Sequence, residues 1–134
     1  MKGRIRDKVR EIECYLREMR HIHPKSLKEY LNIKNKAACE RYFEKIVEAV
    51  IDLAHLIIRD LKLETPEDDK IAFDRLVEEG IIIDKLAEKL KDAKGMRNIL
   101  VHEYGRIDDL IVYNSLNELE NDVRELVKSV KKHC

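Results

Sequence analysis

An all-α protein, a bundle of about five helices, is what this sequence predicts, on three observations. Apolar residues return at gaps of three and four in one segment after another, the period of a helix with a single buried face. Gly and Pro together number six in 134 residues, so few positions interrupt a helix. Hydrophobic residues make up 44% and charged residues 40%, with Trp absent and Phe occurring twice, the mixture of a bundle with heavily charged outer faces. The length suits one domain over residues 1–134 and suffices to bury a core.

The first helix is expected over residues 4–21, with Ile5, Val9, Ile12, Leu16 and Met19 on one side. His21, His23 and Pro24 end it. Two His two positions apart point away from each other on a helix, which favours a helix-end pair over a metal site. Residues 25–34 form a connector in which Ser26 caps a short turn with Glu29 three positions on, and Asn32 and Asn35 suit a break and a restart.

Residues 36–62 read as the longest helix. Apolar residues from Tyr42 and Phe43 through Ile57 and Ile58 cover well over half of its circumference. Arg41, Glu44, Glu48, Asp52, His55 and Arg59 fall in one narrow polar stripe, narrower than an outer helix normally carries. The helix is therefore central or at a subunit interface. Its stripe is either a thin solvent-facing edge, which pattern favours, or the wall of a polar cleft. Asp52 and His55, three apart, are placed to hydrogen-bond. The helix has more apolar surface than a five-helix monomer needs to hide, which points to a dimer.

Thr65-Pro66-Glu67-Asp68 reads as a helix start, with Thr65 as cap and Pro66 at the first helical position. The helix covers residues 66–79 with Ile71, Phe73, Leu76 and Val77 inward, and Gly80 stops it. Ile81-Ile82-Ile83 would suit a strand, but no partner strand is visible, so it reads as a buried connector. Asp84 caps the next helix, whose Leu86, Leu90 and Ala93 lead into Gly95. The last helix, residues 108–131, carries Leu116, Leu119, Val123, Leu126, Val127 and Val130 inward and Lys128, Lys131 and Lys132 at the end that favours cations.

The formal charge is zero, so no global field draws nucleic acid, and RNA binding would need a local patch, for example one built across an oligomer. Cys14, Cys39 and Cys134 are odd in number and lack paired spacing, which fits free thiols in a reducing cytosol rather than disulfides or a zinc site. Charges throughout residues 1–20 do not match a signal peptide, and no uncharged run approaches membrane-spanning length. A cytoplasmic protein without a membrane partner is the expectation.

One stretch stands apart. Lys94 to Gly105 brings Arg97, Asn98, His102 and Tyr104 within eight positions around the apolar run Ile99-Leu100-Val101. His102 can exchange a proton near neutral pH, and Arg97 presents a planar fork suited to phosphate. Together they suffice for metal-free RNA cleavage, in which a ribose 2′-OH attacks the adjacent phosphorus, His102 serves as base or acid and Arg97 stabilises the phosphoryl oxygens. Five positions apart on a straight helix, the two lie on different faces. They converge if the helix bends near Gly95 or ends soon after His102, with Gly105 as terminator, or if two subunits combine their groups. On pattern alone, a surface Arg, a satisfied His and a chance Tyr are the better reading.

Arg97-Asn98-Ile99-Leu100-Val101-His102-Glu103-Tyr104 resembles the R-x4-H-x-Y signature of the HepT-like proteins of the HEPN superfamily. Arg41, Glu48, Asp52 and His55 resemble that family's polar positions on the long helix. Thr65-Pro66, Phe73 to Leu76, Gly80-Ile81-Ile82, Leu86 and Ala87 are similar to the run before its motif, and Ile107 and the final helix also fit, so the likeness covers most of residues 4–131. It implies a HEPN-type bundle that forms a homodimer, with the motifs of two subunits lining a shared cleft. It further implies a metal-independent ribonuclease toxin without a cofactor, partnered by an MNT-type nucleotidyltransferase antitoxin. Arg97 and His102 map to the catalytic pair, Asn98, Glu48, Asp52 and His55 to supporting positions, and Tyr104 to the tyrosine that accepts AMP. An AMP group there would repel RNA phosphate and fill the cleft. The alternative is a non-catalytic module that binds the nucleotidyltransferase and a nucleotide.

Overall fold

The computed structural model describes residue 1 and residues 3–134. Six α-helices follow one another: α1 (Gly3–Ile22), α2 (Leu27–Tyr30), α3 (Ile33–Asp60), α4 (Asp69–Glu78), α5 (Asp84–His102) and α6 (Asp109–His133), with a 3₁₀ turn at Tyr104–Arg106. Among the described residues there is no strand. Since α2 is a single turn, the bundle is built from five long helices, as expected. None of them is long and apolar enough to cross a membrane.

The 28-residue α3 is the axis of the bundle and packs against each of the other helices. Asn32 caps it, its side chain accepting from the Lys34 and Asn35 amides, and Ser26 caps α2 through the Glu29 amide. The apolar face of α3, from Cys39 and Phe43 to Ile57 and Ile58, is buried inside this one chain. Of the two locations expected for such a helix, the centre is therefore the observed one. The apolar surplus that pointed to a dimer is hidden by α1, α4, α5 and α6. On α1, Ile5, Val9, Ile12, Leu16 and Met19 are the five buried residues, and they pack on α3.

Five local expectations are corrected. Asp68, not Thr65, caps α4, its carboxylate accepting the Ile71 amide at 2.8 Å, so Thr65 and Pro66 precede the helix. An Asp three residues before a free amide is the better acceptor, and extended backbone at Asp68 places it there. Asp84 is the first residue of α5 rather than its cap. Ile83 takes the cap position without a side-chain bond and is exposed, so only Ile81 and Ile82 of the triple are buried. Gly95 lies inside α5. Gly105 does not end that helix, which stops at His102.

Gly80 does terminate α4. It takes φ +73°, and the Gly80 and Ile81 amides donate to the Val77 and Leu76 carbonyls. This is the paired closure in which a left-handed residue satisfies the last carbonyls of a helix. It turns the chain so that Ile81 and Ile82 enter the core and α5 returns along α3. Gly80→Ala should lower stability by about 1–2 kcal/mol, since a methyl would meet no neighbour and only the backbone conformation is penalised. Chemical denaturation checks this, with an unchanged midpoint counting against it.

Candidate active site

The motif sits where α5 ends. The helix runs unbroken through Gly95, Arg97 and Asn98 to His102, and the Glu103 amide closes it on the Ile99 carbonyl at 2.9 Å. The chain then tightens. The Arg106 amide donates to the Glu103 carbonyl, the Ile107 amide to the Tyr104 carbonyl, and the Arg106 guanidinium pairs with the Glu103 carboxylate at 2.9 Å. Met96, Ile99, Ile107, Ile111 and Val112, together with Arg106 and Asp108, line a small pit of about 70 Å³ between this turn and α6. Packing of Ile107 against the core anchors the turn, so Tyr104 leaves the helix axis instead of continuing along it.

Arg97 points toward α3. Its guanidinium lies 3.8 Å from Glu48, an ion pair longer than a hydrogen bond. Its Nε is buried with no hydrogen-bond partner among the described residues. A guanidinium carries five N–H donors, so Arg97 is a fixed cation with donors to spare. Asn98 is half-buried beside it. His102, in the last turn of α5, is exposed and has no hydrogen-bond partner among the described residues. At about 100° per residue, Arg97 and His102 lie about 140° apart around the helix. Helix termination leaves this divergence in place within one chain.

Tyr104 leans back onto α3. The residue is 58% exposed, while its hydroxyl donates to Glu40 Oε1 at 3.2 Å. Glu40 is 7% exposed, and burial pushes its carboxyl above the usual range, opposed by the Tyr104 hydrogen bond and by Lys36. The Glu40 charge in turn holds the Tyr104 phenol above its ordinary value. Lys36 pairs with Asp109 of α6 at 2.8 Å, next to this group. Beneath it lies Tyr30 of α2, fully buried, its ring tilted against Tyr113 with centroids 5.5 Å apart. Burial raises the Tyr30 phenol and takes the Cys39 thiol up to about 11.

The other expected positions divide. Glu48 reaches the motif through Arg97. Asp52 does not: it pairs with Lys8 of α1 at 3.6 Å. His55 hydrogen-bonds Asp69 of α4 at 2.9 Å rather than Asp52. The stripe joins a groove of about 230 Å³ lined by Glu11, Tyr15, Arg41, Lys45, Glu48 and Asp52, so its middle is a polar wall, while Arg59 remains at an exposed edge. Cys14, Cys39 and Cys134 are all free.

Glu40 escaped sequence reasoning, although a signal existed. On a helix it falls in register with Val47 and Ala54, seven and fourteen positions on, both buried. A lone acid on an otherwise apolar face needs a partner, and Tyr104 is that partner.

A family model described as ribonuclease HepT-like matches residues 9–130. The chain belongs to the ribonuclease HepT-like family. Among its relatives is a putative RNase of Archaeoglobus fulgidus, 35% identical over 85 residues, a match spanning 63% of this chain and 64% of that protein. An mRNA nuclease HepT of Shewanella oneidensis is 32% identical over 89 residues, 66% of each chain. A tRNA nuclease HepT of Aphanizomenon flos-aquae is 30% identical over 114 residues, 84% of this chain and 78% of that protein. The HepT-like fold is closely matched by the tri-AMPylated HEPN toxin of Shewanella oneidensis solved in complex with MNT antitoxin, with a TM-score of 0.90 and 23% identity over 98% of this chain and 99% of that one.

Glu40 gives this HepT-like chain a pH-dependent stability. A carboxyl whose folded pKa is raised favours the folded state most at low pH and loses that contribution as pH rises through the folded value. Glu40→Gln removes the penalty on the buried charge and keeps an acceptor for Tyr104. Thermal melts should therefore show the variant gaining on the wild type at neutral pH, with the gap closing toward pH 4. A gap that widens on acidification would contradict the assignment.

Proposed function

We propose that this chain is a metal-independent endoribonuclease toxin of the HEPN type, acting as one domain and as a homodimer. Arg97 of one copy and His102 of the other share a cleft. The observation that carries the reading is the state of the motif itself. Arg97 is a half-buried cation with unused donors, and His102 is an exposed imidazole about one and a half helical turns from it along the axis and about 140° around it. A phosphate bound by one chain's Arg97 would be poorly reached by the same chain's His102. A second motif facing the first brings an imidazole to each guanidinium.

The exposed apolar residues support such pairing. Val101, Leu110 and Ile111 flank the motif, and Ile33 is 86% exposed at the start of α3. The Lys36–Asp109 and Tyr104–Glu40 contacts tie these segments into one end of the bundle. The relatives named as nucleases support RNA as substrate.

In the reaction, the 2′-oxygen bonds to the adjacent phosphorus and the bond to the 5′-oxygen breaks. His102 takes the 2′-proton or protonates the leaving oxygen, and Arg97 offsets the charge gathering on the phosphoryl oxygens. Glu48 competes with phosphate for Arg97 until RNA arrives. Asn98 supports the motif from the same turn, while Asp52 and His55 act through the helix packing around Glu48.

The partner is an MNT-type nucleotidyltransferase, which silences the toxin by adding AMP to Tyr104. The tri-AMPylated neighbour bound to its antitoxin supports this part of the reading. Each added phosphate places negative charge two residues from His102, where RNA phosphate must sit.

Arg97→Ala and His102→Ala should each lower RNA cleavage by roughly 10²-fold or more, with dimer mass unchanged by light scattering. If both folded variants cleave at the wild-type rate, or if the wild type is monomeric under cleaving conditions, the reading fails. A chain that binds its nucleotidyltransferase tightly and never cleaves RNA would instead be a non-catalytic module.

A further inference from the structure

A buried carboxylate holding the hydroxyl of an exposed tyrosine is unusual, and cleavage of RNA does not use it. Glu40 is 7% exposed, and its Oε1 accepts the Tyr104 hydroxyl at 3.2 Å. The two residues are 64 positions apart, so the contact is made by tertiary packing of the 3₁₀ turn on α3. Tyr104 stays open to solvent, so a reagent can approach the hydroxyl while Glu40 remains behind it.

We infer that Glu40 is the general base that activates Tyr104 for its own nucleotidylation. The inference rests on the reading of Tyr104 as the acceptor of AMP. Tyr104 Oη attacks the α-phosphorus of a nucleoside triphosphate brought by the partner nucleotidyltransferase. The new Oη–P bond forms as the bond from that phosphorus to pyrophosphate breaks. The phenolic proton passes to Glu40 Oε1, and pyrophosphate leaves with the bond's electron pair. The toxin thus carries part of the catalytic machinery for its own silencing.

Three features make the assignment chemical rather than merely structural. The proton acceptor already touches the proton to be removed, the first requirement of a general base. A negative carboxylate beside the phenol disfavours free phenoxide, so the proton must leave during attack, to that same carboxylate. Burial makes Glu40 a stronger base than an exposed carboxylate. The groups around it are Lys36, Cys39 and Glu44 on α3, Tyr30 of α2, Tyr104 of the 3₁₀ turn and Asp109 of α6. Of these, Lys36 is the cation, and its pairing with Asp109 keeps it from neutralising Glu40 outright.

The product also changes this contact. Once Oη carries a phosphodiester it has no proton to donate, and Glu40, after releasing the transferred proton to solvent, faces a second negative charge.

The experiment follows AMP transfer from ATP to the full-length chain by its cognate nucleotidyltransferase, using intact mass for the initial rate between pH 4.5 and 7. Glu40→Gln keeps the hydrogen-bond acceptor and removes the base. It should slow transfer roughly 10²-fold, and the wild-type-to-variant rate ratio should shrink toward low pH, where Glu40 is protonated. Glu40→Asp, which withdraws the carboxylate by one methylene, should lose less rate and keep the pH dependence. Transfer at the wild-type rate in either folded variant, or a rate ratio independent of pH, overturns the proposal. Tyr104→Phe separates the two layers. If wild type gains AMP, Tyr104→Phe does not, and Glu40→Gln gains it at full rate, the base assignment alone is wrong. If wild type gains no AMP, or Tyr104→Phe still does, the reading of Tyr104 falls and this inference with it.

Discussion

Burial of α3 within its own bundle is the constraint on which the rest of the structure depends. A helix apolar around most of its circumference has to be surrounded, and α1, α4, α5 and α6 are the elements that surround it. Because α3 is central, the few polar groups along it become fixed reference points. Glu48 faces the guanidinium of Arg97, and Glu40 faces the hydroxyl of Tyr104. Two residues of one motif are thus held by two carboxylates two helical turns apart on one rod. The motif reads as local in the chain, but its geometry is imposed from elsewhere.

The electrostatics follow from the same arrangement. With no net charge, the chain offers RNA no long-range attraction, so a phosphate has to be held by donors already in place. Arg97 fits that role because its ion pair with Glu48 is loose and its Nε is buried without an acceptor. The cluster under Tyr104 is of opposite character. Glu40 is buried at the base of the 3₁₀ turn beside the partly exposed Lys36–Asp109 pair, with the phenols of Tyr30 and Tyr104 pushed up next to them. One end of the bundle therefore presents a cation for phosphate and, next to it, a tyrosine whose proton has somewhere to go. In the proposed function, cleavage and its suppression would draw on neighbouring but separate groups.

The helical architecture was legible because it is written in periodicity. The five buried positions of α1 and the narrow stripe of α3 are visible in residue spacing, and Gly80 announces the end of α4. Caps were less legible where several acids compete: Thr65-Pro66-Glu67-Asp68 contains more than one acceptor, and only the backbone selects Asp68. Pairings between helices were not legible at all. Asp52 and His55 are three apart on one face, yet each is matched by a residue from another helix, Lys8 and Asp69, since those reach closer than a neighbour on the same helix. The polar stretch around Arg97 and His102 stands out in the sequence by itself, its spacing poses the problem of two faces, and only the roles of its residues come from resemblance. Glu40 shows the cost of attending only to the polar stripe, because it stands on the apolar face.

The central claim is that guanidinium and imidazole meet across two copies of the chain, and mixing inactive copies tests it most directly. Arg97→Ala and His102→Ala chains, differently tagged and co-expressed, form mixed dimers that can be isolated through both tags. In such a dimer one cleft recovers an intact Arg97 and an intact His102 from opposite copies, and the other has neither. The account predicts RNA cleavage by the mixed dimer where each pure variant has lost it. A mixed dimer as inactive as its parents would contradict the account and place the working pair within a single chain.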